Sequence, residues 1–345
     1  MKVKPDRLKR VAIEILKGFK APDEQAALVA ESLVRADMRG IDTHGVHFLT
    51  LLASRVDAGM IQIPTHLKVV KDEDATGLID GGDGLGQVAA YRAMEMSLQK
   101  ARKFGIGVVD VRKTNNVGIL AFYTIHAAEE GMIGIIMSNA APAMPAWGGM
   151  QPFFGTNPLS IAVPGGSEAP VVLDMSSSMV ARGKIRRAER MKEAIPLGWA
   201  LDETGAPTTD PAAAMKGTLL PMGGPKGYGL ALMVDILTGL LSGSQYGPDV
   251  KTFHQPLGPT GVGVCTMAID IERFMSLHQF NSLMKGYLAS IKESKKANGV
   301  SRIYLPGEIE FEKERKSLAE GIELSDSVVK NLNQLLERAK NPLRL

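Results

Sequence analysis

A chain of 345 residues is longer than the 100–200 that one packed core usually takes, so two or three lobes are expected. Hydrophobic residues at 45% and charged ones at 22% exclude disorder over most of the length. Forty Lys and Arg against thirty-seven Asp and Glu, with 5% aromatics, are too balanced for a nucleic-acid surface. The single Cys265 excludes an internal disulfide framework and any multi-cysteine metal site.

The first stretch, MKVKPDRLKRVAIEILKGF, spreads its charges and has no uninterrupted apolar core, so it does not read as a signal peptide. The longest apolar run, from Gly227 to Leu241, contains Asp235 and is too short to span a bilayer. No membrane contact is expected, and a cytoplasmic location is. Residues 23–39 place Leu28, Leu33, Val34 and Met38 on one helical face, and Gly40 supplies the stop. Thr43 or Asp42 is positioned to cap a following helix that carries Leu49, Leu52 and Val56.

From residue 68 the texture changes to short β-branched runs: LKVVKD, TGLIDGG, IGVVDVR, IGIIMSN, LSIAVP and APVVLDM. Helical segments at 87–104, 120–130 and 226–241 separate some of them, which predicts an α/β region. GWALDETGAPTTDP reads as a hairpin or turn. Beyond Ile309 the chain returns to amphipathic helix, with Val328, Val329, Leu332 and Leu336 on a stripe. A helical lobe from 1–67 and 310–345 around a central α/β region at 68–309 is the expected organisation. Residues 230–241 are apolar almost all round, which favours a core helix over a subunit interface.

Three places could meet a nucleotide. Gly84-x-Gly86-x-x-Ala89, with Asp110 further on, is a relaxed dinucleotide fingerprint, though a Gly-rich turn feeding a packed helix is the favoured reading. The stretch 220–229, LPMGGPKGYG, offers close backbone approach, a helix start and Lys226, against a plain turn with a solvated lysine. VVLDMSSS at 171–178 places Asp174 between a strand and three serines. The six histidines are scattered and form no HExxH spacing, so no metal site is expected. His44, beside Thr43 and Asp42, has the setting of a general acid or of a helix-start residue with no chemistry.

Together these segments resemble the malate/L-lactate dehydrogenase type 2 family of NAD(P)-dependent oxidoreductases. The resemblance runs through RADMRGIDTHG (35–45), IDGGDGLGQ (79–87), GTNPLSIAVP (155–164), VLDMSSSMVARGKI (172–185), LLPMGGPKGYGLALMVDIL (219–237) and LPGE (305–308), in the right order over nearly the whole chain. It implies an α/β fold with a mixed, non-Rossmann sheet, a homodimer, and NAD or NADP as cofactor. It demotes Gly84 and Gly86 to a structural turn. Cofactor contacts carry over to Pro170, Val171, Val172, Leu173, Asp174, Met175 and Ser176, to Pro225 and Lys226, and to Gly307, Glu308 and Ile309. His44 matches the family's catalytic histidine, with Thr43 keeping the hydroxyl of the usual serine.

Two departures from the family pattern bear on the substrate. Phe48 stands where the family carries an arginine suited to a substrate carboxylate, and Asn116 replaces a second active-site histidine. His47 is a candidate stand-in for the missing cation. The resemblance implies hydride transfer between the nicotinamide and a small 2-oxo or 2-hydroxy acid, with Asn116 orienting the substrate. Phe48 raises the alternative of a less anionic ketone or a cyclic imine. A nucleotide-binding homologue without catalysis is the reading from another class.

Overall fold

The computed structural model describes residues 1–255 and 257–345. In chain order the elements are β1 (Lys2–Val3), α1 (Pro5–Gly18), α2 (Asp23–Met38), α3 (Phe48–Asp57), β2 (Lys68–Asp72), β3 (Thr76–Asp80), α4 (Gly86–Phe104), β4 (Ile106–Thr114), α5 (Ala121–Glu129), β5 (Met132–Ser138), β6 (Leu159–Val163) and β7 (Val171–Met175). There follow α6 (Arg182–Met191), β8 (Ala200–Leu201), β9 (Pro207–Thr208), α7 (Pro211–Lys216), β10 (Thr218–Leu219), α8 (Pro225–Asp235), β11 (Val262–Asp270), α9 (Leu277–Glu293), α10 (Glu308–Glu320), β12 (Ile322–Glu323) and α11 (Asp326–Arg338).

Seven strands form the main sheet in the order β2-β3-β4-β11-β5-β6-β7. Only β3 and β4 run parallel, joined over one face by α4; every other neighbouring pair in this sheet is antiparallel. A mixed sheet of this kind lacks the run of parallel strands that builds a doubly wound dinucleotide fold. One face packs Val109, Val111, Ile136 and Val264 against Ala89, Ala93 and Met94 of α4. On the other face Met137 and Cys265 meet Val234 of α8.

All six expected strand runs are strands, but the central strand, β11, lies in GVGVCTMAID, which the sequence reading passed over. Helix α2 matches its expected span, and Gly40 follows it with φ of 73°. GWALDETGAPTTDP contains the β8–β9 antiparallel pair closed by a turn on Asp202. A separate apolar cluster joins α1, α2 and α3 to α11, with Leu8, Val11, Ile15, Leu33, Leu49 and Leu336 at its centre. The termini meet there, β1 pairing with β12.

Two local expectations need correction. Neither Thr43 nor Asp42 caps α3. Residues Asp42–His44 form a 3-10 turn of their own, and α3 starts at Phe48 with no side-chain cap. The apolar 230–241 segment is not buried all round either: α8 gives way to a π-helical turn at Ile236–Leu240. That turn and α8 bury Ala231, Val234 and Thr238 but leave Met233 51%, Leu240 51% and Leu241 64% exposed.

Candidate active site

The Gly84–Gly86 turn shows what its glycines are for. A Cβ on Gly86 would fall on the carbonyl oxygens of Asn115 and Asn116, and one on Gly84 would strike the Thr65 side chain. Asn115 Nδ2 donates to the carbonyls of Asp83 and Gly84, at 2.9 and 2.8 Å. The glycines therefore let the start of α4 close on the loop that carries Asn116. Asp110, the acid of the same fingerprint, is buried within β4 beside Cys265 of β11.

A cavity of about 570 Å³ opens on that loop, and its wall includes His44, Asn116, Asn139, Thr156, Arg182, Arg186, Lys251 and His254. The elements that deliver these side chains are far apart in the chain. His44 sits on the 3-10 turn, which is held by Asp37 of α2: the Asp37 carboxylate accepts from the Val46 N–H at 2.8 Å, and Gly45 leaves it room. Thr43 Oγ1 lies 3.0 Å from His44 Nδ1. Burial pushes His44 down to about 4, with His47 and His254 adding to the shift and Asp42 opposing it. The ring is thus neutral near pH 7. With Nδ1–H donating to that hydroxyl oxygen, the neutral ring presents a bare Nε2, the form needed to take a proton.

Asn116 Oδ1 accepts from the Gly118 N–H at 2.9 Å, closing a tight turn in which Gly118 has φ of 73°. Its carbonyl is used locally, so the group left for a ligand is the amide –NH2, a donor. Asn139 ties another part of the wall: its Nδ2 donates to Asp235 Oδ1 at 3.2 Å and to the Gln245 carbonyl at 2.8 Å, and its Oδ1 accepts from the Gly263 N–H. Asp235, at the junction of α8 and the π turn, also accepts from the Gly247 N–H. Burial raises its carboxyl, and those two hydrogen bonds oppose the rise.

The cations were the part that sequence reasoning missed. Arg182 and Arg186 are one turn apart on α6 and reach the same cavity, while Lys251 comes from the loop before β11. Arg182 is anchored on the Met215 and Gly217 carbonyls, and Gly183 packs its backbone against the Thr43 methyl, where a Cβ would lie 3.1 Å away. No carboxylate lines this wall, and none pairs with Arg182, Arg186 or Lys251 among the described residues. The signal was available as two arginines four apart in ARGKIRRAER.

Phe48 and His47, expected at the substrate, do not line the cavity. Phe48 is buried in the helical cluster, stacked on Phe253 at 4.6 Å, because the inward face of α3 carries Phe48, Leu49 and Leu52. It is Phe253 that reaches the wall. His47 sits beside His44, and burial lowers its pKa as well.

The three segments expected at the cofactor lie alongside one another. β7 is an edge strand, and the Val172 N–H donates to the Pro306 carbonyl at 3.0 Å. Gly307, at φ of 84°, packs so closely that a Cβ would come within 2.9 Å of Val172 Cβ. Beyond Ser176, the Met222 N–H donates to the Ser177 carbonyl, and Pro225 and Lys226 stand exposed at the start of α8. Asp174 accepts from the Ala121 N–H at 2.8 Å, at the first turn of α5. A second cavity, of about 370 Å³, lies between Pro170–Val171 and the Leu305–Glu308 turn. Exposed strand edge, two helix starts and an adjoining cavity fit an extended dinucleotide.

A dehydrogenase built on a mixed sheet, outside the doubly wound class, is what this fold and site define. The chain belongs to the malate/L-lactate dehydrogenase family, whose model matches residues 3–333. It is 39% identical over 335 residues to the L-sulfolactate dehydrogenase of Methanocaldococcus jannaschii, covering 97% of this chain and 96% of that protein. A malate dehydrogenase of Pyrococcus abyssi is 38% identical over 348 residues, covering 98% and 95%. The solved structure of the Methanocaldococcus jannaschii sulfolactate dehydrogenase superposes with a TM-score of 0.94 at 38% identity, over 99% of this chain and 98% of that one.

Proposed function

We propose that this protein, an NAD(P)-dependent oxidoreductase acting on the CH–OH group of small hydroxy acids, takes a substrate with at least one carboxylate and uses His44 as its acid–base group. The observation that carries this is the single cavity where His44 and Asn116 face Arg182, Arg186 and Lys251 with no acid among them. The charge absent at Phe48 is supplied from α6 and from the loop before β11. Guanidinium groups on α6 suit the carboxylate, the Asn116 amide donates to an oxygen of the substrate, and His44 serves its hydroxyl or carbonyl oxygen.

When bound, the nicotinamide supplies or accepts the hydride. In oxidation, bare His44 Nε2 takes the hydroxyl proton while Nδ1–H stays on Thr43 Oγ1. In reduction, a protonated ring returns that proton to the carbonyl oxygen. An anion bound among the cations favours imidazolium by Coulomb attraction, which offsets part of the burial that holds His44 neutral. Pro170 to Ser176, Pro225, Lys226 and Gly307 to Ile309 are assigned to the cofactor, since β7 contacts the Pro306–Gly307 turn and the stretch leading into α8 is hydrogen-bonded just beyond it. A cation-walled cavity favours an acid over an uncharged ketone, and Phe48 gives the ketone reading no support from inside the core.

The test is oxidation of NADH and NADPH, followed by nicotinamide absorbance, against oxaloacetate, pyruvate, sulfopyruvate, a cyclic imine acid and uncharged ketones, beside His44→Ala. Turnover of an acid, lost in the variant, is expected. Turnover confined to uncharged ketones, or unchanged by the variant, would refute the assignment. We further infer a cytoplasmic homodimer. Nicotinamide chemistry belongs where that cofactor is kept, and the exposed Met233, Leu240 and Leu241 are a face that a second copy would cover. Leu241→Asp should convert a dimer to monomer by light scattering, and a wild-type monomer would defeat the inference.

A further inference from the structure

The second cavity carries information on which nicotinamide cofactor is used, given the assignment of β7 and Gly307–Ile309 to the cofactor. Its wall sets Pro170 and Val171 against Pro306 and Phe311, with Glu168, Glu308 and the Arg315 guanidinium as its charged groups. β7 runs from this cavity towards the main one. Val171 lines the second cavity, and at the far end the Ser177 N–H and hydroxyl both donate to the carbonyl of Thr156, a residue of the main cavity wall. Five strand residues at roughly 3.3 Å each put the two cavities about 16 Å apart. With the nicotinamide beside His44, the adenosine end falls in the second cavity.

A site that selects NAD needs a carboxylate free to accept from the ribose 2′-hydroxyl, whereas NADP needs a cation for its 2′-phosphate. Both acids at this cavity pair with Lys292. Glu308 accepts from Arg302 and the Leu305 N–H and lies 3.3 Å from Lys292 of α9, so both its oxygens are engaged. Glu168 pairs with Lys292 at 2.8 Å. Arg315, one turn beyond Phe311 on α10, makes no ion pair among the described residues. Each carboxylate at the cavity has a cationic partner, and the Arg315 guanidinium has no acidic one among the described residues.

We infer that this cavity takes the adenosine end of NADP and that Arg315 binds its 2′-phosphate, making Arg315 the residue that selects NADP over NAD. A guanidinium–phosphate fork adds two charge-assisted hydrogen bonds that a ribose hydroxyl cannot return. The probes are 2′,5′-ADP and 5′-ADP, titrated calorimetrically into the full-length protein and into Arg315→Gln, whose exposed position leaves folding untouched. The wild type should bind 2′,5′-ADP at least tenfold tighter, and Arg315→Gln should bring the two within about threefold while keeping 5′-ADP affinity. The ratio of kcat/KM for NADPH to that for NADH should fall in parallel. Equal binding by the wild type, or a preference that survives Arg315→Gln, overturns the role of Arg315 and leaves the cofactor surface standing. Failure of either nucleotide to bind overturns the cofactor surface as well.

Discussion

Arg55 is the residue whose removal should most directly separate the substrate from the cofactor. It is buried on α3, and its guanidinium donates to four backbone carbonyls of one loop: Thr252 at 3.3 Å, Phe253 at 3.4 Å, Gln255 at 3.0 Å and Gly258 at 2.7 Å. It also stacks over the Phe253 ring at 4.7 Å. That loop, with the adjacent Lys251, supplies Thr252, Phe253, His254 and Gln255 to the cavity wall. Arg55→Leu keeps the apolar stem and deletes every donor. Counting only the two bonds of 3.0 Å or less, at about 1.5–3 kcal/mol each for a charged donor, the loss comes to about 3–6 kcal/mol. Urea unfolding read by linear extrapolation measures it. The same variant should raise KM for the acid several-fold and leave KM for the nicotinamide cofactor in place, because the residues assigned to the cofactor lie on β7 and at the starts of α8 and α10, not on this loop. A loss below about 1 kcal/mol, or a cofactor KM that rises as far as the acid KM, would show that Arg55 does not hold the wall.

His44→Asn should cost on the order of a hundredfold or more in turnover. Because the folded pKa is lowered from 6.5 to about 4, the unfolded chain takes up the proton first as pH falls. His44 therefore subtracts stability between those values and costs nothing above pH 6.5. Thermal melts of His44→Asn should show a shallower decline over that window, and superimposable curves would contradict the burial of the ring. Gly86→Ala should destabilise by about 1–3 kcal/mol, since its Cβ meets backbone carbonyls that cannot turn aside, and should lower turnover through Asn116. Unchanged kinetics in a folded Gly86→Ala protein would break the link between that glycine and the site. Arg186→Gln should raise KM for a 2-oxo acid by about tenfold, near 1.4 kcal/mol. The effect should be smaller on an uncharged ketone, and equal effects on both would remove the charge from the argument.

The helical periodicity of α2 and the β-branched runs of β2 to β7 were legible because local pattern and burial agree there. β11 was not, because VGVCTMAID never sets two β-branched residues side by side, interrupting them with glycine, cysteine, methionine and alanine, and its pairing comes from strands distant in the chain. His44 and Asn116 could be named from motifs, whereas Arg182, Arg186 and Lys251 could not be joined to them. The separations between these positions are set by tertiary packing and leave no local period. Phe48 misled for the converse reason. Four residues after His44 in sequence is the first residue of α3, and its side chain faces the helical cluster rather than the cavity. The 230–241 segment shows the same limit: apolar on every side by sequence, it buries one side and presents another.

The place of β11 also fixes an order of events during synthesis. β4 ends at Thr114 and β5 at Ser138, yet the strand that lies between them begins only at Val262. Until more than three quarters of the chain has emerged, two β-branched strands face each other across a gap, each with an open edge. The same late segment brings in Lys251 and the loop that Arg55 clamps. A ribosome-bound chain stopped before residue 262 should be able to collapse but not to close its sheet, and such an intermediate is a natural client for chaperones that shield strand edges.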